Sequence, residues 1–264
     1  MNNDDADLWM AKVVSRLGPL PINYIVFDVE STGLDLSNDV VVQIGYVLVL
    51  NKSIVDCNCL VVDWTHNRDQ DFCRWLELRM ETTKNNMEAK NPGVSAYKHS
   101  IARMQKHGVP AYDAFTHFMD IVRLCRSNRF SFVAHNGIKF DQPIIDRCVK
   151  QLRGEMDSFD FKTLNSLYFD TMGLERGSQS KILPSSTDDW FSFTNRIVNE
   201  GGRIYSSLAK HCANKYDLIN KHSLQGDAHE ADFDCRLTHH LFEEFREMAD
   251  RGMAKLKAGN ECGS

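Results

Sequence analysis

The sequence predicts a single domain of mixed α/β class, built on one sheet. Three observations carry this. Three apolar, β-branched segments near the front are joined by short turns, helical and strand-like segments then alternate, and no linker, repeat or low-complexity tract breaks the chain. With 264 residues, 42% of them hydrophobic, there is enough apolar surface for a sizeable core.

Residues 1–21 read as an N-terminal appendage: a short helix with Leu8, Trp9, Val13 and Leu17 at helical spacing, stopped by Gly18-Pro19-Leu20-Pro21. Strands are expected over 24–28, 40–50 and 54–62. The turn-like Leu36-Ser37-Asn38-Asp39 and Asn51-Lys52 separate them, and connections this short suit an antiparallel meander. From 69 to 90 the sequence turns helical and charged, with Phe72, Trp75, Leu76 and Met80 at helix spacing, until Asn91-Pro92-Gly93 ends it. Tertiary packing is the expected role of those aromatics. A helix over 111–126, a strand over 130–134, a helix over 139–152 and a short strand reaching Phe169-Asp170 follow. The stretch 177–202 mixes Ser, Asp and Asn with Trp190, Phe191 and Phe193 and reads as an insertion or long loop. The last helix carries the apolar stripe Leu237, Leu241, Phe245 and Met248, and 251–264 form a C-terminal tail.

Composition excludes several function classes. No apolar run is long enough to span a bilayer, and Met1-Asn2-Asn3-Asp4-Asp5 is acidic where a secretory signal is basic, so a cytoplasmic protein with no membrane partner is expected. A net charge of -5 argues against general coating of polyanions, although a local basic groove stays open. The eight cysteines are scattered. Their one close pair, Cys57 and Cys59, has no Cys or His partners at zinc-site spacing, so reduced structural thiols are expected.

Several acids stand where apolar residues belong. In Ile25-Val26-Phe27-Asp28-Val29-Glu30 the side chains of Asp28 and Glu30 share one face of a strand, because successive residues alternate. Counting back from Ile144, Ile145, Cys148 and Leu152 in steps of three and four lands on Asp141, and Pro143 is tolerated in that first helical turn. The stripe of the last helix, continued toward its start, reaches Asp234. Just upstream, Gly226-Asp227-Ala228-His229-Glu230 reads as a turn and capping box with Asp227 as the cap and Glu230 three residues on. That places His229 at the helix entrance, where the positive end of the dipole disfavours imidazolium and keeps the ring available as a base.

Each feature alone has an ordinary reading. Asp141 alone is a cap or surface group, and His followed five residues later by Asp occurs three times, at His66 and Asp71, His222 and Asp227, and His229 and Asp234. The set is what carries information. Four inward carboxylates need positive charge, no Lys or Arg run accompanies them, and hard divalent cations accept oxygen ligands. A two-metal centre for in-line phosphoryl displacement answers that need, with His229 taking a proton from the attacking water.

In their order and separation these residues resemble the DnaQ-like family of 3′-to-5′ exonucleases, in the branch that uses four acids and a histidine. The family's Asp-x-Glu with following Thr-Gly is matched by Asp28, Glu30, Thr32 and Gly33. Its His-Asn-x-x-Phe-Asp is matched by His135, Asn136, Phe140 and Asp141, and its His-x-Ala-x-x-Asp by His229, Ala231 and Asp234. Phe169-Asp170-Thr171-Met172 is similar to the family's strand between the second and third motifs, and the likeness spans roughly 22–245.

The resemblance implies a ribonuclease H-like fold, with a five-stranded mixed sheet of three antiparallel strands and then parallel ones, flanked by helices. It implies an exonuclease domain over 22–250 with insertions near 66–92 and 177–202. Two divalent cations, Mg2+ or Mn2+, would be held by Asp28, Glu30, Asp141 and Asp234, with Asp28 bridging both and His229 as general base. Thr32, Gly33 and Leu34 would seat the 3′-terminal nucleotide, Leu34 wedging against its base, and Asn136 would hydrogen-bond the substrate or a ligand side chain. The implied reaction is 3′-to-5′ hydrolysis of single-stranded nucleic acid, DNA ahead of RNA, to nucleoside 5′-monophosphates. A polymerase or other replication protein is a candidate partner, and either a monomer or a homodimer fits.

The chain departs from the family at Gln43, where many relatives carry Glu, and in the extra stretches 69–90 and 177–202. Lys210, His211, Lys215, Lys221 and His222 gather before the third motif, either to track phosphates or as a solvated helix face. Two rival readings stand beside the leading one. An exoribonuclease or oligoribonuclease would differ by contacts to the 2′-OH, which no motif reports. A non-catalytic nucleic-acid-binding or polymerase-docking module would have no reason to keep four inward acids that destabilise it uncompensated.

Overall fold

The computed structural model describes residues 3–90, 97–153, 167–200, 208–226 and 229–261. Three strands, β1 (Tyr24–Ser31), β2 (Val41–Leu50) and β3 (Ser53–Asp63), form the antiparallel meander, and β5 (Ser131–Ala134) and β6 (Tyr168–Asp170) extend it in parallel beyond β1. These are the five expected strands. A sixth, β4 (Val109–Pro110), pairs two residues with the end of β3 and is too short to show any periodicity in sequence. The sheet order is β4-β3-β2-β1-β5-β6, so β1 is paired on both sides. Residues Tyr24 to Phe27 are accordingly buried without alternation, as befits a strand covered on both faces.

The alternation of β1 divides the molecule into two cores. Ile25, Phe27 and Val29 face α4 (Ala111–Ser127) and α5 (Asp141–Arg153), meeting Phe118, Ile144 and Ile145. Tyr24 and Val26 face the other way, toward α1 (Asn3–Leu17) and α10 (Ala231–Glu261), into a cluster that holds Met10, Leu241 and Phe245. Asp28 and Glu30 continue this second face past the end of the apolar cluster. The N-terminal helix contributes Trp9, Met10 and Val13 to that core, and the Trp9 indole N–H donates to the Ile182 carbonyl at 2.7 Å.

Between the meander and α4 lie α2 (Gln70–Lys90) and α3 (Ile101–His107); the expected stop Asn91-Pro92-Gly93 lies outside the described residues. The stretch 177–202, expected as loop, is largely helical: it holds the end of α6 (Thr171–Ser180) and all of α7 (Trp190–Glu200). The residues it buries, Trp190, Phe193, Thr194, Ile197 and Val198, recur at helix spacing, a stripe that intervening Ser, Asn and Arg obscure. Two short helices, α8 (Leu208–Asn214) and α9 (Leu218–Lys221), precede α10. Among the described residues no helix is long and apolar enough to cross a membrane.

Candidate active site

The site forms where the edge of the second face of β1 meets the first turns of α5 and α10. Glycine makes the approach of α10 possible. A Cβ at Gly45, the β2 partner of Asp28, would lie 2.5 Å from the carbonyl carbon and oxygen of Ala231, so only glycine lets α10 begin directly on the sheet. Asp234, in the first turn of α10, is thereby brought beside β1. Asp141 opens α5, and its Oδ1 accepts the Val29 N–H at 3.2 Å. Asp234 Oδ2 accepts the His229 N–H at 3.1 Å, which helps hold His229 at φ +67°, a left-handed conformation unusual for a residue with a side chain. His229 Nδ1 is 3.8 Å from Glu30 Oε1, and one ligand atom from each of Glu30, His229 and Asp234 lies within 4.8 Å of the others. Asp28 and Asp141 border the same pocket, whose volume is about 500 Å³.

Every acid of the group is raised above the ordinary carboxylate range. Burial is the first cause at each. Asp28 and Glu30 are pushed well above the ordinary carboxylate range, with the charges of Asp141 and Asp234 adding to burial. Asp141 and Asp234 are each pushed up to about 7. Burial also lowers His229, which favours the neutral ring; the helix dipole invoked from sequence is not needed for that effect. Arg79 is the only Lys or Arg among the described residues lining the pocket. Hard oxygen donors crowded together without compensating cations fit a divalent-ion centre.

Of the expected nucleotide seat, Gly33 and Leu34 border the pocket, and Leu34 stands at the rim with 79% of its surface exposed. Thr32 does not face it. Its hydroxyl donates to Asp39 Oδ1 at 2.8 Å and accepts the Val40 N–H at 3.0 Å, while its own N–H and carbonyl pair with Val40 and Thr83. Asn136 borders the pocket at φ +67°, its N–H given to Asp170 at 3.0 Å. The expected cap Asp227 lies outside the described residues. Glu230 is the residue just before α10 rather than part of its first turn, since its carbonyl accepts the N–H groups of Phe233 and Asp234. Of the basic group, Lys215 pairs with Glu175, Lys221 with Glu244 and Glu247, and His222 stacks on His240 at 3.9 Å; the side chains of Lys210 and His211 lie outside the described residues.

Three residues that hold the site were not singled out for it in sequence. Gln43, 1% exposed and paired in register with Glu30, donates through Nε2 to Glu230 Oε2 at 2.8 Å and accepts the Ala231 N–H at 3.1 Å. Arg103 clamps the same Glu230 through two bonds of 2.8 Å, which draws its carboxyl down to about 2. Gln43 thus fastens the start of α10 to β2, and a Glu in its place would confront Glu230. The available signal was a lone amide inside an apolar strand. Asp170, fully buried, accepts the N–H groups of Asn136, Ile138, Met172 and Gly173 and so ties the turn after β5 to α6.

No protein-family model matches the chain, and neither does any curated protein. Solved structures do. The chain is similar to E. coli exonuclease I in complex with a dT13 oligonucleotide, with a TM-score of 0.52 at 10% identity over 89% of this chain and 43% of that one. The complex of the same enzyme with dA16 gives 0.52 at 11% identity, over 88% and 43%, and a product-bound exonuclease I gives 0.53 at 8%, over 90% and 46%. The shared fold is ribonuclease H-like. The chain spans less than half the length of these structures, and at such identity the likeness carries the fold alone.

Proposed function

We propose that this protein is a 3′-to-5′ exonuclease that hydrolyses single-stranded nucleic acid, DNA ahead of RNA, to nucleoside 5′-monophosphates. The observation that carries the reading is the convergence of Asp28, Glu30, Asp141 and Asp234 with a neutral His229 on one pocket. The four acids would hold two divalent cations, Mg2+ or Mn2+. When bound, the ions supply the positive charge that activates water and steadies the leaving oxygen.

The chain's own residues do the rest. His229 accepts the proton of the attacking water at a ring nitrogen; the water oxygen bonds to phosphorus, the bond to the 3′ oxygen breaks, and that oxygen takes a proton from solvent. Glu30, 3.8 Å from His229 Nδ1, stabilises the imidazolium so formed. Gly33, whose missing Cβ leaves room for the Asp39 carboxylate, borders the pocket where the terminal sugar would lie, Leu34 presses on the terminal base, and Asn136 offers its amide to the substrate. DNA is placed first because the exonuclease I structures of the same fold are complexes with deoxyoligonucleotides.

Digestion of 5′-labelled DNA and RNA strands side by side, with magnesium or manganese, tests this. The wild type releases 5′-monophosphates stepwise from the 3′ end, and Asp28→Ala and His229→Ala each lose at least about a hundredfold in kcat with unchanged circular dichroism. Full activity of His229→Ala with magnesium would remove the assigned base. RNA degraded faster than DNA would move the protein to the exoribonucleases.

A further inference from the structure

The helix α2 belongs to the stretch that exceeds a minimal exonuclease domain, yet it forms a wall of the pocket. Thr82 and Thr83 lie three and four residues after Arg79, and Asn86 lies four and three after them, so all four share one helix face, and all line the pocket that the acids border. Leu76 and Met80, on the neighbouring stripe, are buried in the core and anchor the helix. Two further ties hold α2 to the turn after β1. Thr83 Oγ1 donates to the Thr32 carbonyl at 2.5 Å, and Arg79 grips Asp39 with Nε and Nη2 at 2.7 to 2.8 Å.

Asp39 is fully buried, and its carboxylate also takes the Thr32 hydroxyl and the Asp35 N–H. The guanidinium is therefore fixed in place before any ligand arrives. It keeps one end free: Nη1 has no partner among the described residues, and the side chain is 34% exposed. A fixed cation with an unused donor, the one Lys or Arg that the described residues bring to this acid-lined pocket, suits an anionic oxygen that the acids themselves repel. We propose that Arg79, presented by α2, contacts a backbone phosphate of the substrate strand beyond the one being cleaved; this rests on the nuclease function proposed above. Guanidinium is the favoured group for such a contact, because it stays charged and donates from a planar fork.

Arg79→Gln removes the charge but keeps amide donors for Asp39, and Arg79→Lys keeps the charge without the fork. The measured quantity is kcat/KM on a labelled single strand as KCl rises from about 50 to about 200 mM, where each lost phosphate contact flattens the logarithmic salt slope by about 0.7. Arg79→Gln is expected to lose about tenfold in kcat/KM and to show that flattening, while Arg79→Lys keeps the wild-type slope and regains part of the rate. Should Arg79→Gln fail to fold, the double variant Arg79→Gln/Asp39→Asn replaces the ion pair with neutral amides and carries the same expectation. An unchanged slope in a folded charge-removing variant overturns the proposal and leaves Arg79 as a strut for Asp39. A wild type inactive on both DNA and RNA overturns the function itself, and the phosphate contact with it.

Discussion

The acid cluster should destabilise the protein whenever no cation occupies it, and Asp141→Asn measures by how much. Asp141 is 3% exposed, and its carboxyl is pushed from 3.8 up to about 7. Between those values the folded state holds a proton that the unfolded chain has released, so stability falls as pH rises from about 4 to about 7, and the full penalty applies above that. About three pH units at roughly 1.36 kcal/mol each place that penalty near 4 kcal/mol as an upper bound, since the four acids share their repulsion and can relax together. Asparagine cannot ionise, yet its carbonyl can still accept the Val29 N–H. In EDTA, urea unfolding followed by tryptophan fluorescence should therefore find Asp141→Asn more stable than wild type by about 2 to 4 kcal/mol at pH 8, shrinking to about 1 to 2 at pH 5. The variant should have lost catalysis while gaining stability. Equal or lower stability at pH 8 would refute the reasoning, because it would mean that the carboxylates are compensated without metal.

Other consequences can be checked alongside. Manganese should raise the melting temperature of the wild type more at pH 8 than at pH 5, where protons compete for Asp141 and Asp234; scanning calorimetry at both pH values decides it. Gln43→Glu should place like charge against Glu230, lower kcat about tenfold to a hundredfold by shifting the start of α10, and leave the circular dichroism spectrum intact. Trp9→Ala should cost about 3 to 5 kcal/mol in urea unfolding, because Trp9 is 4% exposed within the α1–α10 core.

The five main strands and both acid-bearing helices were legible because their signals are local. Val41 to Val49 read as a strand from composition, and Asp141 and Asp234 betrayed themselves as charges on apolar stripes. What was not legible depends on contacts across the chain. Nothing near Gln43 announces that its amide meets Glu230 and Ala231 almost two hundred positions later. Thr32 fits the nucleotide seat by motif, but Asp39, Val40 and Thr83 together consume its hydroxyl, N–H and carbonyl. The helix of 190–200 was hidden because Ser192, Asn195 and Arg196 dilute its stripe, and only burial separates the two sets.

The site also divides its acids by how they are held. Asp141 and Asp234 each accept a main-chain N–H from the segment beside them, Val29 and His229 respectively, and those bonds lower what burial raises. Asp28 and Glu30 receive no such bond among the described residues, and burial, with the charges of Asp141 and Asp234 added, raises both. The two outer acids are thus positioned by the backbone, whereas the strand pair accepts no hydrogen bond among the described residues. A divalent ion held as proposed would gain most from the strand pair, and its binding would displace protons wherever the acids still hold them. Cation affinity should therefore weaken as pH falls through 7, with proton release on binding growing in step.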